Sequence, residues 1–390
     1  MRRSALAVLF LTVFVDLLGF GIVLPLLPRY AEEFRAGDAT IGLLMASFSL
    51  LQLLFAPLWG RWSDRVGRRP VLMIGLAGSV VSYTCFGLAR SVTALFLSRI
   101  AAGAFGATIG TAQAYIADVT GAQDRGRQMA LIGAAFGLGF TFGPALGGLA
   151  HHHLGLGAPG FLAAGFSLVA LLLAWRRLPE PPRLDAARVH PRFDPGALRR
   201  ALRAPTVPLI LGLQVVATLA FAGFEGTLAR FTDRKWGYDP AENGLLFTYV
   251  GVCLLVSQGL LVRRLMPRAG ERNLAAAGTL LLAAGLCGVA LAPGTAAALA
   301  TLPVVVAGYS LITPSLASLL SLRSPRAMRG EILGIGQSGL SLARVLGPFL
   351  ANVLFARSPE APYVFAAGLM AAAFLGALRL RAAPAPPPES

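Results

Sequence analysis

The stretch Gly60-Arg61-Trp62-Ser63-Asp64-Arg65-Val66-Gly67-Arg68-Arg69-Pro70 joins two apolar runs, 41–60 and 71–89. Each run is of the length, about 20 residues, that a helix needs to cross a bilayer. The connection carries four arginines, as cytoplasmic loops of membrane proteins do. Gly67 and Pro70 suit a tight turn. Asp64 lies among the arginines, where charge-assisted hydrogen bonds are available to it. A basic anchor needs charge alone, so the regular placing of Gly60, Asp64 and Gly67 asks for a further role.

The same pattern extends in both directions. Apolar runs recur at 5–27, 41–60, 71–89, 92–117, 129–150, 160–175, 207–229, 244–262, 274–292, 295–321, 332–356 and 363–380. They are continuous rather than alternating, which predicts helices and not a barrel. The expected fold is an all-α integral membrane protein with twelve transmembrane helices in two pseudo-symmetric six-helix bundles. The Arg- and Pro-rich segment 176–205 reads as a cytoplasmic linker between an N-terminal bundle, 1–175, and a C-terminal bundle, 206–382. Residues 383–390 form a Pro-rich tail. The N-terminal apolar run contains Asp16 and has no small-residue cleavage site, so it reads as a retained first span rather than a signal peptide.

Of the 390 residues, 56% are hydrophobic and 13% charged, which excludes a disordered chain and argues against an ordinary soluble enzyme. The net charge of +16 would suggest nucleic acid in a soluble protein. Its distribution gives another meaning. With the N-terminus inside, 25 basic residues fall on the cytoplasmic side and 7 outside, and the whole excess is cytoplasmic. This orients both termini to the cytoplasm of an inner (plasma) membrane and suits anionic lipid headgroups. Cys85, Cys253 and Cys287 lie within apolar runs and form neither a disulfide framework nor a zinc pattern. The halves also echo each other. Gly143-Pro144-Ala145-Leu146 corresponds to Gly347-Pro348-Phe349-Leu350, and the basic connection after span two to the one after span eight. Such equivalence indicates a parallel internal repeat.

The 60–70 connection resembles the signature loop of the major facilitator superfamily. Leu97-Ser98-Arg99-Ile100-Ala101-Ala102-Gly103 is similar to the family's Arg-and-Gly motif in span four, and Tyr115-Ile116-Ala117-Asp118-Val119-Thr120 to its span-four exit. Gly133-Ala134-Ala135-Phe136-Gly137-Leu138-Gly139, ending in Gly143-Pro144-Ala145-Leu146-Gly147-Gly148, resembles the span-five antiporter motif. That motif points to the twelve-span drug/proton antiporters, which include tetracycline efflux pumps. The resemblance implies that Gly60, Asp64, Arg65, Gly67, Arg68, Arg69 and Asp118 form a cytoplasmic latch, closed in the outward-open state and broken when the protein opens inward. The matching C-terminal connection, Arg263 to Arg272, lacks the family's Asp.

Four charges lie within or near the ends of spans: Asp16, Arg99, Glu225 and Arg344. Each costs about 2.5–3.5 kcal/mol on insertion scales, so such residues are usually functional or paired. Asp16 reads as a protonation site with Arg99 as a nearby modulator, and the alternative is a static Asp16–Arg99 pair. Glu225, close to the expected end of span seven, reads equally as a coupling group or an interfacial one. Arg344 reads as a cavity or interface residue. Arg99, Gly103, Gly106, Gly110 and Gln113 are spaced to share one helix face, lining a cavity or a helix interface. Gly139, Gly143 and Gly147 make a second small-residue stripe, and Pro144 is placed to kink span five. His151, His152 and His153 fall in a short external loop with no acidic ligand beside them, so no metal site is expected.

These readings converge on a non-enzymatic secondary transporter that exports a small amphiphilic compound or drug against protons, with no cofactor beyond the proton gradient. It is expected to be monomeric, with a small-molecule substrate, protons and anionic lipids as partners and no nucleic acid. The alternatives are a metabolite or sugar importer, or a uniporter, of the same fold, and a non-transporting membrane receptor or scaffold.

Overall fold

The computed structural model describes residues 2–106, 108–120, 122–181, 203, 206–324 and 329–380. Most of the expected linker and the whole Pro-rich tail lie outside these residues. The described residues are helical, with no strand among them. The helices are α1 (Arg2–Val23), α2 (Leu27–Glu33), α3 (Asp38–Val66), α4 (Arg68–Leu88), α5 (Val92–Ala104), α6 (Thr108–Val119), α7 (Ala122–Leu154) and α8 (Ala158–Arg177). They continue with α9 (Val207–Trp236), α10 (Pro240–Val256), α11 (Arg263–Leu291), α12 (Thr295–Arg323), α13 (Arg329–Phe355) and α14 (Ala361–Leu378). A wide π turn, Ser257–Val262, carries α10 directly into α11.

Ten stretches are long and apolar enough to cross a membrane, and one of them, Pro240–Leu291, is 52 residues long. That stretch suffices for two crossings, broken where Gly270 takes φ 73° and ψ 160°. Together with α7, 33 residues long, these stretches are consistent with the twelve crossings expected. Every apolar run of the sequence lies on a helix, because in a bilayer the backbone must satisfy its own hydrogen bonds.

Three local departures follow from proline and glycine. Span one is α1 plus α2, broken before Pro25, whose ring and missing N–H end the helical ladder. Span four is α5 plus α6, separated near Gly106. Glycine there carries a high entropic cost in a helix and weakens its continuity. The connection after span two is hardly a loop. Helix α3 runs to Val66, α4 begins at Arg68, and Gly67 alone makes the turn at φ 110°, a conformation that a β-carbon would strain. Pro70 stands in the first turn of α4, where its missing N–H has no helical partner to lose.

Contacts divide the chain into two compact units, 1–190 with 226–255, and 191–225 with 256–390. Chain order alone had assigned 226–255 to the bundle 206–382. In the first unit, α1 packs along α7 and α8, α3 along α5, and α4 along α8. In the second, α11 packs on both α12 and α14.

The glycine stripes mark the closest packing. A β-carbon on Gly139 would stand 2.8 Å from Leu17 Cβ, on Gly143 2.8 Å from the Leu18 carbonyl oxygen, and on Gly147 2.5 Å from that of Ile22. Helix α7 therefore lies backbone to backbone on α1. On α7's other side, a β-carbon on Gly244 of α10 would stand 2.5 Å from the Pro144 carbonyl oxygen. The second unit repeats the device. A β-carbon on Gly347 of α13 would stand 2.6 Å from the Leu219 carbonyl oxygen and 3.1 Å from Gly223 N on α9. Gly21 faces Gly143 just as Gly223 faces Gly347. The repeat read from the sequence is thus a repeated helix contact. The two basic connections also match, since Gly270 turns with positive φ as Gly67 does.

Candidate functional site

In α1, Asp16 is half-buried, and Ser79 on α4 donates from Oγ to its Oδ1 over 3.0 Å. One turn away on α4, Tyr83 lies within electrostatic reach of both Asp16 and Arg99. Its ring occupies the place a side chain on residue 19 would take, which explains Gly19. Arg99, on α5, is only 1% exposed, and its Nε and Nη2 have no hydrogen-bond partner among the described residues. Its guanidinium sits 5.5 Å from the centre of the Phe48 ring, a cation–π distance. No ion pair joins Asp16 to Arg99 among the described residues. The static pair weighed from the sequence is therefore absent, and Tyr83 is the group that feels both charges.

The expected glycine face on span four does not persist, because the break between α5 and α6 ends its helical phase. Gly103 packs against the α3 backbone at Phe48, and the Gly106 carbonyl accepts from Gln52 Nε2 at 3.2 Å. Gly110 and Gln113, on α6, are exposed, and nothing lies within 4 Å of a β-carbon built on Gly110. The first two are packing residues, and the last two line accessible space.

Glu225 is half-buried well inside α9, because that helix runs on to Trp236. The helix thus extends beyond the apolar run 207–229, in which Glu225 stands four residues from the end. Arg344, on α13, is exposed and acts electrostatically on Glu225. The two charges of the second unit are therefore neighbours, a partnership the sequence did not disclose.

At the basic connection, Arg68 meets Asp64 through Nη1 at 2.5 Å and Asp118 through Nε at 2.9 Å. The same Nη1 donates to Ser63 Oγ at 2.6 Å. Asp118 comes from the end of α6, so Arg68 ties spans two, three and four together. Arg69 donates to the Trp175 carbonyl at 2.6 Å. Arg65 is exposed on the last turn of α3, and Gly60 has open space around it. Glu180 completes this cluster, accepting from the backbone N–H of Arg68 at 2.6 Å and of Arg69 at 3.0 Å. A carboxylate there satisfies two of the orphan N–H groups that begin α4 and complements the positive end of its dipole. Gly67 is needed twice over, because a β-carbon on it would stand 2.5 Å from Glu180 Oε1.

The sequence profile of the Major Facilitator Superfamily matches residues 9–348 and, again, 215–390. The chain belongs to the Major Facilitator Superfamily. It is 32% identical over 371 residues to the tetracycline resistance protein, class E, of Escherichia coli, covering 92% of this chain and 90% of that protein. It is 29% identical over 367 residues to multidrug resistance protein 1 of Bacillus subtilis (strain 168), covering 94% and 93%. Among solved structures, it is similar to the human organic anion transporter MFSD10 (TETRAN), with a TM-score of 0.73, 27% identity and coverage of 96% and 99%. The nucleoside transporter NupG overlays with a TM-score of 0.80 at 13% identity, a likeness of fold, over 97% of this chain and 100% of that one. As a Major Facilitator protein, the chain is a multi-pass membrane transporter of a small-molecule substrate.

The superfamily fold also brings together residues that sequence reasoning passed over. Arg230, 3% exposed, donates from Nε to Glu32 Oε1 at 2.6 Å and from Nη2 to Asp38 Oδ1. In the sequence these three were only external charges. The signal available was an arginine among acids on an arginine-poor face. Ser79 and Tyr83 gave no signal, since a lone hydroxyl in an apolar run is common. The histidines correct another expectation: His151, His152 and His153 form the last turn of α7 rather than a loop. His151 Nδ1 lies 3.2 Å from Tyr30 Oη, which itself donates to the Leu156 carbonyl at 2.5 Å. His152 lies 3.6 Å from Asp239.

Proposed function

We propose that this chain exports a small amphiphilic compound or drug in exchange for protons, by alternating access. Asp16 carries the reading. It is a half-buried carboxyl inside a membrane helix, held by one hydroxyl donor and by no ion pair among the described residues. An intramembrane carboxyl without a counter-ion is a group of the kind that proton relays use. Asp16 takes a proton when the outside face is open and gives it up to the cytoplasm. Arg99 supplies a buried positive charge in the same unit. Glu225 and Arg344 form a second coupled pair. The names of the similar proteins, tetracycline resistance and multidrug resistance, agree with drug cargo.

The cytoplasmic cluster of Asp64, Arg68 and Asp118 acts as the latch of the outward-open state. The protein works as a monomeric carrier in the inner (plasma) membrane, with both termini cytoplasmic and the basic face on anionic lipid. It performs no covalent chemistry and takes no cofactor.

Purified protein in proteoliposomes, with a pH-sensitive dye inside, tests the exchange. A panel of amphiphilic drugs, tetracycline among them, is added under an imposed proton gradient. Wild type is expected to move protons on addition of a cargo drug, and Asp16→Asn to move none while still inserting in the membrane. Proton movement in Asp16→Asn equal to wild type overturns the role of Asp16. Drug flux indifferent to the gradient overturns the coupling.

A further inference from the structure

The second unit carries a set of side chains that proton exchange alone does not require. On α9, Gln214, Thr218, Phe221 and Glu225 are spaced four, three and four apart, so they share one helix face. Phe221 lies flat on Tyr309 of α12, with ring centroids 3.9 Å apart and planes within 3°. Both rings and Glu225 are half-buried rather than sealed.

Helix α13 decides where this face looks. It has two exposed stripes on different sides. Leu342, Leu346, Leu350 and Val353 form an apolar one, suited to acyl chains. Gln337 and Arg344 are exposed on the other, with Ser341 half-buried beside them, while Ser338 lies in line with Leu342. Arg344 stands mid-span, where contact with lipid would cost about 2.5–3.5 kcal/mol. The polar stripe therefore faces water, and Arg344 acts electrostatically on Glu225 from that stripe. Of the two charges, the more accessible is the positive one. An incoming cation meets a guanidinium before it meets the carboxylate. An incoming carboxylate, sulfonate or enolate meets a donor fork with the geometry to hold it. The aromatic pair supplies a flat apolar surface that a conjugated ring can join.

We infer that Phe221, Tyr309, Glu225 and Arg344 form a binding subsite for an aromatic compound bearing an anionic group, its ring against the Phe221–Tyr309 pair and its anion on Arg344. Gln337, on the same stripe, offers amide donors to the anion's second oxygen. Glu225 acts electrostatically on the same guanidinium and so competes with an anion for it. The inference rests on the transport reading above and narrows its cargo.

The test is binding to the full chain in lipid nanodiscs, followed by calorimetry, with a matched trio: 2-naphthoate, neutral 2-naphthamide and cationic 2-naphthylmethylammonium. Wild type is expected to prefer 2-naphthoate to 2-naphthamide by about tenfold, one charge-assisted contact. Arg344→Gln is expected to erase that preference and leave 2-naphthamide within about twofold, and Arg344→Lys to restore part of it. Tyr309→Ala is expected to weaken 2-naphthoate and 2-naphthamide alike. Each variant is accepted only with a wild-type melting profile, and the Lys variant controls for a fold lost in the Gln variant. Equal affinity for the anion and the amide, a preference for the cation, or 2-naphthoate binding untouched by Arg344→Gln overturns the proposal, as does no 2-naphthoate binding to wild type. Nanodiscs hold no gradient. A protein that binds 2-naphthoate through Arg344 but moves no protons in proteoliposomes refutes the exchange and keeps the subsite, and the converse result does the reverse.

Discussion

Arg230 on α9 donates from Nε to Oε1 of Glu32 on α2 across 2.6 Å, with its other arm on Asp38 at the start of α3. One buried guanidinium thus fastens three helix ends on the side the charge count assigns to the exterior. A charged hydrogen bond of this kind is worth about 1.5–3 kcal/mol, and removing the cation leaves two acids facing each other. Arg230→Gln is expected to lower the melting temperature of the solubilised protein, and Glu32→Gln to lower it less because Asp38 remains. Adding Glu32→Gln and Asp38→Asn to Arg230→Gln should recover part of the loss. Equal melting in wild type and Arg230→Gln would show that the clamp carries no net stability.

At the other face, Arg68 holds Asp64 and Asp118 at once. Asp118→Asn leaves the Asp64 contact within the same turn region but cuts the tie to α6. It is expected to slow drug flux several-fold while leaving binding in nanodiscs near wild type, because the contact matters to the state populated and not to the cargo. Asp64→Asn should show a smaller effect of the same sign. Normal cycling in both variants would reduce the cluster to a topology signal.

Glu180 caps α4 from outside its own helix. Glu180→Gln keeps the acceptor but removes the charge that complements the dipole, a loss of about 0.3–1 kcal/mol. Glu180→Ala removes both and should destabilise more. Hydrogen exchange at Arg68 and Arg69 is the direct readout, with faster exchange in the order Ala, Gln, wild type. Protection unchanged in Glu180→Ala would dismiss the cap.

The glycines separate into two groups with opposite expected signs. A side chain on Gly143 or Gly347 must push two helix backbones apart, at a cost of about 1–3 kcal/mol for overpacking. Gly143→Leu and Gly347→Leu are therefore expected to lower the melting temperature. Gly110 has nothing within 4 Å of its β-carbon position. Gly110→Ala is expected to be neutral or to gain up to about 1 kcal/mol from helix propensity. Destabilisation by Gly110→Ala comparable to that at Gly143 would contradict this packing.

The parts that were legible in the sequence are those set by local composition. Apolar length marked the crossings, because a bilayer imposes one dimension on every helix. The arginines of 60–70 marked a basic connection, and Gly67 its turn, because few other residues take that φ. The Asp64–Arg68 contact follows from their spacing of four on adjoining helix ends. Asp118 as the second partner came from likeness to a family, not from the residues themselves. Errors arose where one residue breaks a helix. The span-four face was drawn through Gly106 as if the helix ran on, and the end of span seven was drawn where the apolar run stops, whereas α9 runs on to Trp236.

By itself, then, the chain's order of residues determined the membrane class, the repeat and the location of its rare charges. These depend on hydration cost, which each segment carries alone. The tertiary structure decided which charge meets which. Asp16 is held by Ser79, Tyr83 feels both Asp16 and Arg99, Arg230 pairs with Glu32 and Asp38, and Arg344 acts electrostatically on Glu225. Partners from different helices are set by how those helices cross. Here the crossings are governed by glycine contacts such as Gly21 with Gly143, whose geometry no single segment contains.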